Sequence, residues 1–259
     1  MKHIIHMGSV CWRREGQDIL KNICWDVTEG EQWAVLGLNG SGKTSILNII
    51  TGYNYPTSGS VNVLGTEFGK ASIPEMRKKI GYVSNALDKF SGTLNRETVE
   101  NIILSGRFSS FGIYQKIDEN DEKKALDIMK GLRLEYLKGK TYQVLSQGEK
   151  RRALIGRAMM AEPELLILDE PCTGLDVLSR EDVLNITKDI HAMNCHMLYV
   201  THHIEEITDV ISHVLLVKDG TIVAAGPKQD VLTSSLLSDT YKIPVKIHWE
   251  NNRPWMSII

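Results

Sequence analysis

The stretch Gly37-Leu38-Asn39-Gly40-Ser41-Gly42-Lys43-Thr44 constrains this chain more than any other. An apolar run, Gln32-Trp33-Ala34-Val35-Leu36, precedes it and reads as a buried strand, and Ser45-Ile46-Leu47-Asn48-Ile49-Ile50 follows with helical spacing. Together they give the pattern G-x-x-x-x-G-K-[ST] in the strand–loop–helix context it requires. Gly37, Gly40 and Gly42 let the backbone take positive φ and close on a ligand. Successive N–H groups then converge into a nest for phosphate oxygens. The start of the helix adds partial positive charge at the same point. Lys43 is placed to reach the β- and γ-phosphates, and Thr44 to put a hydroxyl on Mg²⁺. All fixed positions and both flanks match, which favours nucleotide binding over a glycine-rich turn before a helix. The phosphate-binding set is therefore Gly37 through Ser45.

At 259 residues the chain can bury a sizeable core. Its formal net charge of −2 gives no bulk attraction to nucleic acid, and no nucleic-acid partner is expected. Lys150-Arg151-Arg152, a short basic cluster on a helical stretch, reads as a solvated face. Cys11, Cys24, Cys172 and Cys195 are scattered and make no C-x-x-C pair, so neither a zinc site nor a disulfide framework is suggested. A reducing cytosol is expected. The N-terminus lacks the apolar core of a signal peptide. No run approaches the roughly 18 apolar residues of a membrane span. Work at a membrane would require docking on another chain, which places the protein in the cytoplasm or peripherally on the membrane's cytoplasmic face.

Along the chain, residues 1–36 read as short strands, with Gly16-Gln17-Asp18 as a hairpin turn. Pro56 to Ser60 is a loop signal before strand Val61–Leu64, and Ile73–Lys79 reads as a short helix before the buried strand Ile80–Val83. The character changes near residue 86. Thr98–Ser105 and Glu122–Leu132 carry helical spacing, with Ser109-Ser110-Phe111-Gly112 as a loop, so an inserted helical subdomain is expected over about 86–158. The α/β pattern resumes at Leu165–Leu168, a helix over Ser179–Met193 and strand His196–Val200. Val214–Val217 and Thr221–Ala224 then flank the turn Lys218-Asp219-Gly220. Residues 1–240 are expected to form one domain. In the extension 241–259, two strand-like runs around Glu250–Pro254 allow a terminal hairpin.

Leu165-Leu166-Ile167-Leu168-Asp169-Glu170-Pro171 brings in reaction chemistry. Four apolar residues make a buried strand whose end presents two carboxylates pointing opposite ways. Asp169 suits Mg²⁺, and Glu170 suits polarising a water for in-line attack on phosphorus. Upstream lies Leu145-Ser146-Gln147-Gly148-Glu149. With its interval to Asp169, it resembles the signature motif of ATP-binding-cassette (ABC) ATPases, usually written LSGGQ. The chain departs from that motif at Gln147 and Glu149 and keeps Ser146 and Gly148. On its own, Ser146-x-x-Glu149 would be a helix capping box.

The resemblance implies an α/β fold: a P-loop NTPase core with an antiparallel β subdomain and an inserted α-helical subdomain. It implies ATP and Mg²⁺ as ligands and assigns further residues. Ser146 and Gly148 grip the γ-phosphate of ATP on the opposite protomer, at a helix N-terminus suited to anions. Gly174-Leu175-Asp176 resembles the D-loop, and His202 the switch histidine that meets the γ-phosphate. Trp12 resembles the aromatic that stacks on adenine; its plain alternative is a core tryptophan. Asn85 stands where the family has a glutamine that touches Mg²⁺, one methylene shorter, or else is a helix N-cap. Leu104–Phe108 with Gly112–Gln115 has a weaker likeness to the molybdenum-transport ATPase branch. No guanine-selecting Asn-Lys-x-Asp run occurs.

One phosphate loop and one signature per chain imply a head-to-tail dimer of two copies with ATP between them. Glu170 and His202 are the expected catalytic residues, and Thr44, Asn85 and Asp169 the expected metal ligands. The leading expectation is the ATP-hydrolysing subunit of an ABC transporter that drives an integral-membrane partner. The alternative is a soluble ATPase switch acting on a cytosolic complex.

Overall fold

The computed structural model describes residues 2–84, 91–108, 112–113, 116–191 and 195–259. Asn85, Ser109, Ser110, Phe111, Tyr114 and Gln115 lie outside them, and so do the expectations that fall on those residues. The class is α/β, with a phosphate-loop core, an antiparallel β sheet and a helical insertion. The chain divides into two compact units, 1–77 with 196–259, and 78–195.

In the first unit, β1 (His3–Arg14) and β2 (Gln17–Thr28) form a long antiparallel hairpin closed at Glu15-Gly16. β4 (Ser58–Val63) pairs with the other edge of β1, and β5 (Thr66–Glu67) with β4, in the order β2-β1-β4-β5. The first two strands are far longer than the short runs expected from sequence. Ser9 and Asn22 adopt positive φ (50° and 51°), and the register slips between Met7 and Val10 and between Val10 and Trp12. Such bulges break the alternation of side chains without ending the strand.

A second sheet of this unit has β3 (Trp33–Leu36) at its centre. β8 (His196–Thr201) and β9 (His213–Lys218) run parallel to it on either side, and β10 (Thr221–Pro227) is antiparallel to β9. All four residues of β3 are buried, as a strand covered on both faces demands. α1 (Lys43–Ile50) buries Ile46, Leu47, Ile49 and Ile50. The chain then runs through α8 (Lys228–Val231) and α9 (Ser234–Tyr241) into a two-stranded sheet of β11 (Val245–Glu250) and β12 (Arg253–Ile258). α2 (Ile73–Lys78), anchored by Ile73 and Met76, ends at the border between the units.

In the second unit, β6 (Ile80–Ser84) and β7 (Leu165–Asp169) pair in parallel, from Ile80 opposite Leu165 to Ser84 opposite Asp169. Around them are α3 (Ser91–Leu94), α4 (Val99–Ser105), α5 (Glu119–Gly131), α6 (Gln147–Met160) and α7 (Val177–His191). Thr98 and Asp118 cap α4 and α5 by accepting bonds from Asn101 N–H and Asp121 N–H.

α6 overturns one expectation. Arg151 and Arg152 are 7% and 8% exposed rather than solvated. The helix packs against α4, α5, α7 and β6, so its whole girth is covered. The Arg152 guanidinium accordingly donates to the carbonyls of Leu132 and Arg133, each at 3.2 Å. Buried charge needs such partners.

Candidate active site

In the first unit the phosphate loop leaves the end of β3 and is braced from outside. Gly220, in the turn between β9 and β10, donates its N–H to Ser41 O at 2.9 Å and accepts from Lys21 N–H of β2 at 2.8 Å. Glycine is required at Gly37, where a Cβ would lie 2.3 Å from Val217 O. It is required again at Gly42, whose φ of 111° precedes α1 and whose Cβ would meet Leu20 at 2.9 Å.

Lys43 is buried and its ammonium folds over the loop, donating to Gly37 O at 2.8 Å and Leu38 O at 3.2 Å. Ser41 Oγ is buried with no hydrogen-bond partner among the described residues. Leu38, Asn39, Gly40 and Thr44 are exposed, and Gly42 and Ser45 half-buried. A cradle with no room for a Cβ at Gly37 or Gly42, an orphaned hydroxyl and an ammonium lying on carbonyls all fit a polyphosphate.

Trp12 lies on β1 and is half-buried, unlike Trp25 and Trp33, which are 3% and 4% exposed. It is therefore less enclosed than those two. His202 follows β8, half-buried, with its ring 4.1 Å from that of His203. The connection is closed by Glu206, a buried carboxylate that accepts from Thr201 Oγ1 at 2.7 Å and Tyr199 OH at 3.1 Å. Glu206 was not anticipated from sequence, where it reads as one of two charges after a strand.

In the second unit, Asp169 ends β7 and accepts a hydrogen bond from Tyr82 OH at 2.9 Å. Ser84, opposite it on β6, has a buried Oγ with no hydrogen-bond partner among the described residues. Tyr82 and Ser84 were also missed; their i, i+2 spacing on a strand that neighbours the carboxylates was the available signal. Glu170 takes φ of 49° immediately before Pro171. Left-handed backbone at a bulky residue is uncommon and turns the side chain away from the strand's alternation. Thr173 Oγ1 lies 3.3 Å from Glu170 Oε2.

Ser146 caps α6. Its Oγ accepts from Glu149 N–H at 3.3 Å, and its own N–H donates to Glu149 Oε2 at 2.7 Å. Capping box and signature-like motif are therefore one structure. Tyr136 OH donates to the other carboxylate oxygen at 2.7 Å. Burial acts to raise the Glu149 carboxyl, but the bonds from Tyr136 and Ser146 and the nearby Arg152 charge hold it below its usual range.

Gly148 is buried against α7, and a Cβ there would lie 2.7 Å from Ser179 Oγ. Asp176, after a turn at Gly174 (φ 77°), caps α7 by accepting from Ser179 N–H at 2.8 Å and Ser179 Oγ at 3.1 Å. Bonds from Ser179 keep its carboxyl below the usual range.

These features define a P-loop NTPase of the cassette type: phosphate loop, paired carboxylates ending a buried strand, and a serine-capped helix before that strand. The family model described as ABC transporter matches residues 20–173. The uncharacterized ABC transporter ATP-binding protein YlmA of Bacillus subtilis (strain 168) is 43% identical over 98% of this chain and 97% of its own. The ADP conformation of MJ1267, an ATP-binding cassette of an ABC transporter, superposes with a TM-score of 0.80 at 22% identity, over 93% of this chain and 98% of that one. A dimeric, post-hydrolysis structure of the ATP-binding cassette MJ0796 with ADP and Pi gives a TM-score of 0.72 at 25% identity, over 86% of this chain and 98% of that one. The chain belongs to the ABC transporter family, among its ATP-binding proteins.

Proposed function

We propose that this chain binds and hydrolyses ATP with Mg²⁺ as a head-to-tail dimer, and that the cycle drives transport by an integral-membrane subunit. The observation that carries the reading is the phosphate loop, where Ser41 Oγ lacks a partner among the described residues and Lys43 rests on loop carbonyls that a triphosphate would replace. Moving the ammonium from neutral carbonyls to phosphate oxygens exchanges ordinary hydrogen bonds for charge-assisted ones. The half-buried Trp12 offers a face for the base.

Thr44 and Asp169, with Asn85, are the residues that would hold Mg²⁺, since hydroxyl, carboxylate and amide oxygens suit a hard cation. Bound there, the cation would neutralise charge on the terminal phosphates. Glu170 is the general base that takes a proton from the attacking water, and His202 meets the γ-phosphate. Ser146 and Gly148 act on ATP held by the second copy. A family relative whose structure is a dimer with ADP and Pi supports both the hydrolysis and the pairing. No described helix is long and apolar enough to cross a membrane, so a separate membrane partner is part of the proposal.

Glu170→Gln tests it. The variant should bind ATP, stop turning it over, and run as a dimer on size exclusion only when ATP is present. A monomer under saturating ATP would sink the mechanism. A dimer that co-purifies with no membrane protein from native membranes would sink the transport assignment.

A further inference from the structure

The terminal sheet has no part in the reaction described above, yet it is fastened to the segment that carries His202. After β8 the chain makes a 3-10 turn, Ile204–Glu206, and reaches Thr208 with no further regular structure. One side of this segment is tied to β8 by Glu206 and by the bond from His203 N–H to Thr201 Oγ1 at 3.0 Å. Its outward carbonyls also take bonds from outside the segment, besides the one Thr208 O accepts from Ile211 N–H at 3.3 Å. Two cationic side chains from beyond β10 supply them. Arg253 Nε, at the start of β12, donates to Glu205 O. Lys228 Nζ donates to Thr208 O at 2.8 Å and to Asn252 O in the β11–β12 turn at 3.1 Å, so the turn and the loop share one ammonium. Gln229 Nε2 also donates to Asn252 Oδ1 at 3.2 Å.

The contacts continue to His202. The carboxylate of Glu205, whose carbonyl Arg253 holds, lies 3.5 Å from His203 Nδ1. The His203 ring packs on that of His202, their centroids 4.1 Å apart. Arg253 is itself steadied, its guanidinium 5.0 Å from the centre of the Trp255 ring, an arrangement that restricts a flexible side chain. Ile204 and Ile207 are buried, so the turn has one seating and only its polar outer side is left to be fixed.

We infer that the β11–β12 hairpin, through Arg253, is a positioning device that sets the His202 ring for the γ-phosphate. Arg253 is a positioning residue, since it touches Glu205 rather than nucleotide. The inference rests on the reading of His202 as a group that meets the γ-phosphate. The last two strands thereby acquire a role in turnover, and anything that pulls on the hairpin alters the rate without altering nucleotide binding.

The test uses the full chain with Arg253→Gln, Arg253→Lys, His202→Ala and the Arg253→Gln/His202→Ala double variant. Steady-state ATP turnover is measured together with amide hydrogen exchange. Arg253→Gln should lower kcat about tenfold with KM within about twofold, because a small misplacement at a reacting group is costly. Arg253→Lys, which keeps a cationic donor, should recover most of the rate. The double variant should be no slower than His202→Ala, because both act through one ring. Exchange should rise over residues 203–208 in Arg253→Gln and stay unchanged over 41–46.

A wild-type kcat in Arg253→Gln, multiplying losses in the double variant, or unchanged exchange over 203–208 would each overturn the inference. If His202→Ala is impaired while Arg253→Gln is not, the inference alone fails. If His202→Ala turns over normally, the role of His202 fails and takes the inference with it. Should Arg253→Gln not fold, Trp255→Leu removes the supporting ring and carries the same expectations.

Discussion

Glu149 is the clearest place to test the candidate site by stability as well as activity. Its carboxylate accepts from Ser146 N–H and from Tyr136 OH, both at 2.7 Å. Glu149→Ala leaves the Ser146 Oγ cap in place but removes the reciprocal half of the capping box and the tie to Tyr136. The lost cap is worth about 1 kcal/mol. The tyrosine bond adds about 1 kcal/mol, reduced because Tyr136 is 64% exposed and its hydroxyl can turn to water. A total of about 1–2 kcal/mol corresponds to a Tm drop of about 2–8 °C for a chain of this size.

The pH dependence has a definite sign. The folded-state carboxyl sits below its ordinary value of 4.5, so its contribution is full above that value and is lost as pH falls through the lowered one. The stability gap between wild type and Glu149→Ala should therefore be steady from pH 7 to about pH 5 and shrink below. Urea unfolding at a series of pH values measures it. A gap under about 0.3 kcal/mol at pH 7, or one that grows on acidification, would refute the reasoning.

Two other substitutions probe the units separately. Lys43→Ala should weaken ATP binding at least about a hundredfold, since it deletes the cation best placed for charge-assisted bonds; titration with a fluorescent nucleotide that finds affinity within about threefold would refute its placement. Gly148→Ala should destabilise by about 1–3 kcal/mol, because the added methyl meets Ser179 Oγ at 2.7 Å and Ser179 Cβ at 2.8 Å. By the same distances Ser179→Gly should relieve it and Ser179→Ala should not; thermal unfolding of the double variants that finds the reverse would show that the helices separate instead.

What could be read from sequence follows how local the governing physics is. The phosphate loop was legible because its main demands are local: Gly40 and Gly42 take positive φ (80° and 111°), and Lys43 folds back on the carbonyls of Gly37 and Leu38. β7 was legible as an unbroken apolar run. The β1–β2 hairpin was legible as strands about a turn but not in its length, because non-glycine residues at positive φ, Ser9 and Asn22, shift the side chains between faces and hide the period. The burial of Arg151 and Arg152 was missed because a basic triplet suggests solvent. The residues that follow, Ala153-Leu154-Ile155-Gly156, carried the contrary signal of a helix covered all round. Contacts such as Arg253 to Glu205 leave no periodic trace, since they join loops far apart in the chain.

The departure from the family's signature at Glu149 is accommodated by the same capping geometry. A carboxylate in place of an amide, on a helix that grips phosphate, would set charge against charge if it faced the ligand. Here the carboxylate faces back: one oxygen is taken by Ser146 N–H and the other by Tyr136 OH. The Ser146 oxygen accepts from Glu149 N–H, which leaves the hydroxyl proton to donate outward. The N–H groups of Gln147 and Gly148, in the first turn of α6, have no intrahelical acceptor. On the proposed role of Ser146 and Gly148, three donors would thus remain for an incoming phosphate, ordered by an acid whose own oxygens are bonded on the other side. The glutamate is compatible with anion binding at Ser146 because Tyr136 accompanies it. Tyr136→Phe should therefore act in the same direction as Glu149→Ala.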